Sequence, residues 1–99
     1  MTLRIDPEKN EVRALNEMAD WRGKRVLEIG CGDGRLTRRI VAHLGAQVEA
    51  LDPDKGMITL ARKKLPTRYS ARVKFKVGIA ESLKYPKQTF DIVVFAWSL

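Results

Sequence analysis

The residues with chemical potential gather in one short stretch, Glu28-Ile29-Gly30-Cys31-Gly32-Asp33-Gly34, and in one acid, Asp52, twenty positions after Gly32. The stretch follows an apolar run and precedes a helical pattern. Glycines at such a handover let the backbone turn tightly and come close to a ligand, and the helix beyond offers unpaired N–H groups and the positive end of its dipole. An acid at the end of the next strand can accept hydrogen bonds from both hydroxyls of a ribose. Loop and acid together specify a nucleoside-containing ligand at the carboxyl ends of the strands.

Other reactive types carry less. Cys31 is the only cysteine, so an internal disulfide and a cysteine-built metal site are excluded, and a small side chain inside the loop is a packing choice. His43, the only histidine, falls on a helix away from the loop and reads as a surface residue. Trp21 reads as structural. No residue stands out as a catalytic base.

Two cofactor classes use this architecture. The dinucleotide fingerprint requires a small residue where this chain has Arg35, whose bulk is unfavourable at a helix–strand contact, so NAD is the runner-up ligand. Asp54 adds negative charge beside Asp52 and argues against a 2′-phosphate.

The elements that position these residues follow from periodicity. Asp6-Pro7-Glu8 reads as a helix start, with Val12, Leu15 and Met18 at helical spacing and an end near Asp20. Residues 1–23 are thus a helix with its lead-in. Arg25–Ile29 reads as a first, buried strand; Leu36, Ile40 and Leu44 mark a second helix; Gln47–Leu51 reads as a second strand. Asp52-Pro53-Asp54 restarts a helix carrying Met57, Leu60, Ala61 and Leu65, which Pro66 stops. Arg72–Val77 alternates charged with apolar residues as a sheet-edge strand does, and Phe90–Trp97 is almost continuously apolar as a central strand is. Alternating strands and helices predict one α/β domain over 1–99, a doubly wound Rossmann-like sheet of about four parallel strands in the order 3-2-1-4.

Val26-Leu27-Glu28-Ile29-Gly30-Cys31-Gly32-Asp33-Gly34 resembles the first motif of class I S-adenosylmethionine-dependent methyltransferases. Val48–Asp54 with Met57-Ile58 resembles the second, Gly78-Ile79-Ala80-Glu81-Ser82-Leu83 the adenine-side loop, and Phe90–Val94 the fourth strand. The resemblance implies S-adenosylmethionine as cofactor and methyl transfer as the reaction. It implies that Glu28, Gly30, Cys31, Gly32 and Gly34 hold the methionine part, that Asp52 binds the ribose, that Pro53 and Met57 pack near the adenine, and that Ala80 and Glu81 close over the base. Ala96 and Trp97, at the end of the fourth strand, would line the same pocket. Ile79 departs from the family, where many members carry an acid that accepts from the adenine amino group.

The chain has 99 residues with a net charge of +7, enough for one modest core. Residues 1–54 hold nine Lys/Arg against ten Asp/Glu, and residues 55–99 hold ten against two, so the surplus lies in the second half. Its densest part, Arg62 to Lys76, reads as a solvated face or as a surface for an acidic partner such as RNA. No apolar run is long enough to span a bilayer and the N-terminus lacks a signal-peptide pattern, which points to the cytoplasm and away from membranes. Compared with the seven-stranded methyltransferase fold the chain reads as truncated. That predicts an exposed apolar fourth strand, self-association through its edge, and poor turnover by the isolated chain. The acceptor is left open among small molecule, protein and RNA, and a non-catalytic cofactor-binding or oligomerisation module is the alternative.

Overall fold

The computed structural model describes residues 1–6, 12–79 and 89–96. Its elements run β1 (Thr2–Ile5), α1 (Val12–Met18), β2 (Arg25–Ile29), α2 (Arg35–His43), β3 (Gln47–Asp52), α3 (Lys55–Lys64), a 3₁₀ helix (Thr67–Arg72), β4 (Val73–Val77) and β5 (Ile92–Ala96). The strands form one sheet in the order β1-β5-β2-β3-β4, with every neighbouring pair parallel. The expected order 3-2-1-4 is present as β4-β3-β2-β5.

Two elements were not anticipated. The 3₁₀ helix occupies the stretch between Pro66 and β4, so the edge strand expected from Arg72 starts at Val73. More consequentially, β1 pairs with β5, setting Leu3 beside Val94 and Ile5 beside Ala96. The expectation of an exposed fourth strand is therefore corrected: the edge of β5 through which self-association was foreseen is occupied by the chain's own first residues. Four residues with two apolar positions are too short for periodicity to flag, and Asp6-Pro7 drew the segment into a helix lead-in. Asp91 fixes the far end of β5, since its carboxylate accepts the Arg25 N–H at 2.9 Å and its own N–H donates to the Arg25 carbonyl at 2.9 Å.

Strand periodicity sorts the sheet into two faces. Ile5, Val26, Val48, Ala50, Val73, Phe75, Ile92 and Val94 join Leu15, Leu36, Ile40, Val41, Ile58 and Ala61 in one core, so α1, α2 and α3 all pack on the same side. Trp21 is buried against α1 and donates its indole N–H to the Leu15 carbonyl at 2.7 Å. The second face carries Leu27, Ile29, Leu51, Val93 and Phe95 at its centre, with a Lys76–Glu49 ion pair at 3.1 Å toward the β4 edge. A doubly wound sheet has helices there too; the β4–β5 connection that would supply one contains residues 80–88, which lie outside the described residues.

Because Ile5 is fully buried while Thr2 on the same strand is exposed, the docking of β1 is testable by contrast. Ile5→Ala is expected to lower unfolding free energy by about 2–5 kcal/mol. Thr2→Ala should change it by no more than about 0.5 kcal/mol. Urea denaturation of both variants measures this, and an unchanged midpoint for Ile5→Ala would show that β1 does not cover β5.

Candidate functional site

The parallel strands β2 and β3 end side by side, and the loop leaving β2 is tied to the end of β3. The N–H groups of Gly30 and Cys31 both donate to the Leu51 carbonyl, at 2.8 and 2.9 Å. The next free amide, Gly32 N–H, donates to Asp52 Oδ2 at 2.9 Å, and the other carboxylate oxygen accepts the Asp54 N–H at 2.9 Å. A carboxylate offers about four lone-pair directions. Each oxygen of Asp52 therefore retains one for an external donor, which is what a ribose diol needs.

The glycines differ in purpose. At Gly34, with φ of +84°, a Cβ would stand 3.3 Å from Ala61 Cβ and 3.3 Å from Phe75 Cζ, so this residue lets α2 approach α3 and β4. At Gly30 a Cβ would meet the Ala96 carbonyl at 3.0 Å, which brings the end of β5 against the loop. A Cβ at Gly32 would enter open space. Gly32 is thus the member whose bareness faces a place for a ligand, although its φ of +56° disfavours a side chain as well. Gly34 makes no side-chain capping bond to the first turn of α2, and the carboxylate of Asp33 takes the first N–H of that helix, from Arg35, at 3.2 Å.

Arg35 corrects one sequence argument. It is exposed, and Gly34 rather than Arg35 makes the close helix–strand contact, so the bulk of Arg35 does not itself disfavour a dinucleotide. Glu28 is the second acid at the loop. This side chain is fully buried between β2 and α2; Oε1 accepts the Thr37 hydroxyl at 2.5 Å, while Oε2 is buried with no hydrogen-bond partner. Burial pushes its carboxyl from 4.5 up to about 7, the Thr37 hydrogen bond and the charge of Arg38 pull the other way, and Asp52 adds to the rise. The unpaired oxygen lies beneath the loop and out of solvent, so it acts on a bound group through its field, and a positive group nearby would favour its ionised form.

Cys31 is buried, and desolvation together with Glu28 and Asp52 pushes its thiol far above the ordinary range, so it is a packing residue without nucleophilic character. Asp33 is held below the usual carboxylate range, first by a hydrogen bond from Lys64 at 3.0 Å. Asp54 caps α3 by accepting from Gly56 and Met57 N–H at 2.8 and 3.2 Å, which orients the turn where exposed Pro53 and half-buried Met57 sit. Glu28, Gly30, Cys31, Gly32, Gly34, Asp52 and Ala96 are brought together at the carboxyl ends of β2, β3 and β5, with Pro53 and Met57 directly after Asp52. Ala80, Glu81 and Trp97 lie outside the described residues. His43 is exposed at the end of α2. A hollow of about 220 Å³ bounded by Arg25, Gln47, Arg72 and Phe90 lies at the opposite, amino ends of the strands and has no part in this cradle. Thr37 was missed in the sequence; its signal is a polar residue amid the apolar stripe Leu36, Ile40 and Val41.

Comparison with known proteins agrees with this geometry. Residues 26–99 match the sequence model of a family described as "Methyltransferase domain". Aklanonic acid methyltransferase of Streptomyces sp. (strain C5) is 35% identical over 79 residues, 78% of this chain and 36% of that protein. Ubiquinone biosynthesis O-methyltransferase of Azorhizobium caulinodans is 36% identical over 85 residues, 86% of this chain and 32% of its own length. Among solved structures, an S-adenosylmethionine dependent methyltransferase from Mesorhizobium loti superposes with a TM-score of 0.71 at 26% identity, over 84% of this chain and 37% of that one. Phosphoethanolamine N-methyltransferase 2 of Haemonchus contortus, solved with S-adenosyl-L-methionine, gives 0.76 at 27% identity, over 88% and 21%. The chain spans about a third of the curated relatives it matches.

The raised pKa of Glu28 has a consequence for stability. Between pH 4.5 and 7 the folded chain keeps a proton that the unfolded chain has released, so this residue's effect on stability becomes less favourable as pH rises through that window. Glu28→Gln is expected to gain over the parent as pH rises, by on the order of 3 kcal/mol above pH 7. Urea titrations at several pH values measure the difference; one that stays constant with pH would show that Glu28 titrates as an ordinary carboxyl.

Proposed function

Since this chain belongs to the methyltransferase-domain family, we propose that it forms the S-adenosylmethionine-binding part of an enzyme that transfers a methyl group to an acceptor. The observation that carries the proposal is the pairing of a half-satisfied Asp52 carboxylate at the loop with the unpartnered Glu28 oxygen beneath it. One acid suits a ribose and the other a positive group. S-adenosylmethionine presents both, and when bound it supplies an electrophilic methyl group on a sulfonium.

The chain's own contribution is to hold and orient. Asp52 would take the ribose hydroxyls while keeping its backbone bonds to Gly32 and Asp54, so the contact that binds the ligand also fixes the loop. The first turn of α2 would face the methionine carboxylate, and Glu28 its ammonium. A neighbouring positive charge would draw the Glu28 carboxyl back toward its ordinary range, so binding near neutral pH would release a proton. Methyl transfer from a sulfonium is an in-line displacement that depends on near-attack geometry, with a base only where the acceptor must lose a proton. None of the described residues at the cradle is placed as such a base. The aklanonic acid and phosphoethanolamine in the relatives' names belong to those proteins; small molecule, protein and RNA all remain within the proposal.

Asp52→Ala is expected to weaken S-adenosylmethionine or S-adenosylhomocysteine binding by about 1.5–3 kcal/mol, the contribution of hydrogen bonds to a charged acceptor. Calorimetry measures it, with circular dichroism to confirm that the helices persist. Equal affinity in parent and variant would overturn the assignment of the ribose site.

A further inference from the structure

One cleft on the helix side is unlike the cradle in every respect. It lies between α2 and the 3₁₀ helix, has a volume of about 260 Å³, and is lined by Arg35, Arg38, Arg39, His43, Arg68 and Tyr69 with Ala42 and Pro66. Among the described residues, every charged group on its wall is an arginine and none is an acid. The nearest carboxylate in sequence, Asp33, is outside the wall: Oδ2 pairs with Lys64 at 3.0 Å, Oδ1 accepts the Arg35 N–H at 3.2 Å, and its carbonyl accepts Arg38 Nη1 at 2.7 Å. Arg35, Arg39 and His43 are spaced by four along α2, about 6 Å of axial rise apart, and so form a row. Arg68 adds a cation from the facing element. The surroundings deepen the field: residues 55–79 contain eight Lys/Arg and no Asp or Glu.

We infer that this cleft docks the phosphodiester backbone of a nucleic acid. Arginine presents a planar fork that matches phosphate oxygens two at a time, whereas a merely solvated face is served as well by lysine. The row along α2 offers several contacts in line, as a repeating anion requires. Tyr69 does not serve as a stacking platform for loose bases, because the guanidinium groups of Arg68 and Arg72 already sit over its ring at 4.8 and 5.3 Å and the ring packs against the core. The recognition is therefore of backbone charge rather than of unstacked bases. This surface does not depend on the methyl-transfer reading, since none of its side chains is assigned to the cradle.

The test uses the full 99-residue chain and fluorescence anisotropy with three labelled probes: a short RNA duplex, a DNA duplex of the same length, and polyglutamate of matched charge. Arg35→Ala/Arg39→Ala/Arg68→Ala is compared with Arg4→Ala/Arg13→Ala/Lys74→Ala, which removes the same charge elsewhere, and circular dichroism and calorimetric binding of S-adenosylhomocysteine report the fold and the cradle. Expected is a loss of about tenfold or more in duplex affinity for the cleft variant only, with a salt dependence shallower by about two to three in logarithmic slope. Tighter binding of RNA than DNA, or equal binding of both, would each fit and would identify the source. Equal losses in the two variants, polyglutamate binding as tightly as the duplexes, or no duplex binding at low salt would each overturn the inference.

Discussion

Three consecutive amides, of Gly30, Cys31 and Gly32, are anchored to the last two residues of β3, two on the Leu51 carbonyl and one on the Asp52 carboxylate. Much of the site is a consequence of this stitch. It forces the chain leaving β2 to fold across the end of β3 before α2 can begin, which demands positive φ at Gly30, Gly32 and Gly34. It also places α2 so that Thr37 reaches Glu28 and Gly34 meets Ala61 and Phe75. A parallel pair such as β2 and β3 has no tight turn to set its register, and the stitch supplies a fixed point at the carboxyl ends while the Gln47 N–H bond to the Lys24 carbonyl supplies one at the other.

Glu28 sits at odds with the apolar core it enters. A buried carboxyl with one unpaired oxygen disfavours its own ionisation, and a leucine would pack there without that conflict. The cost of that conflict rises with pH, because ionisation is what the buried position opposes. The same logic separates the two buried carboxylate oxygens that lack partners among the described residues. Glu49 Oε2 belongs to a side chain whose other oxygen pairs with Lys76 at 3.1 Å, whereas the other oxygen of Glu28 accepts a hydroxyl and no ion pair.

The cradle was legible in the sequence because its parts are either glycines with one conformational purpose or acids at fixed distances from them. The strand order followed from alternating strands and helices with right-handed crossovers. What escaped was short or relational. Thr2–Ile5 is too brief to show a period, and nothing local says that Leu3 and Ile5 will lie beside Val94 and Ala96, more than eighty residues away. The 3₁₀ turn of Thr67–Arg72 carries no apolar stripe to announce it. The role of Arg35 was misassigned because a motif position fixes a residue's place along the chain but not the direction of its side chain, and here Gly34 took the contact. Glu28 was named from resemblance; its unpaired oxygen appears only when Thr37 is seen to satisfy the other one.

The distribution of charge joins these features. Glu28, Asp33, Asp52 and Asp54 converge at the carboxyl ends of β2 and β3, although the chain as a whole is strongly positive. Arg35, Arg38, Arg39 and Arg68 instead line a cleft on the helix layer, between α2 and the 3₁₀ helix. A polyanion approaching this molecule is therefore drawn to the helix layer and turned away from the acid-lined loop, while a compact ligand with a positive group is favoured at the loop. The two surfaces meet at the start of α2, where the Asp33 carboxylate holds Lys64 and its carbonyl holds Arg38. That junction uses the acceptors of one residue to keep a lysine and an arginine beside the acids of the loop. Charge segregation over so short a distance follows from the stitch itself, because the loop that carries the acids is also the segment that launches the basic helix.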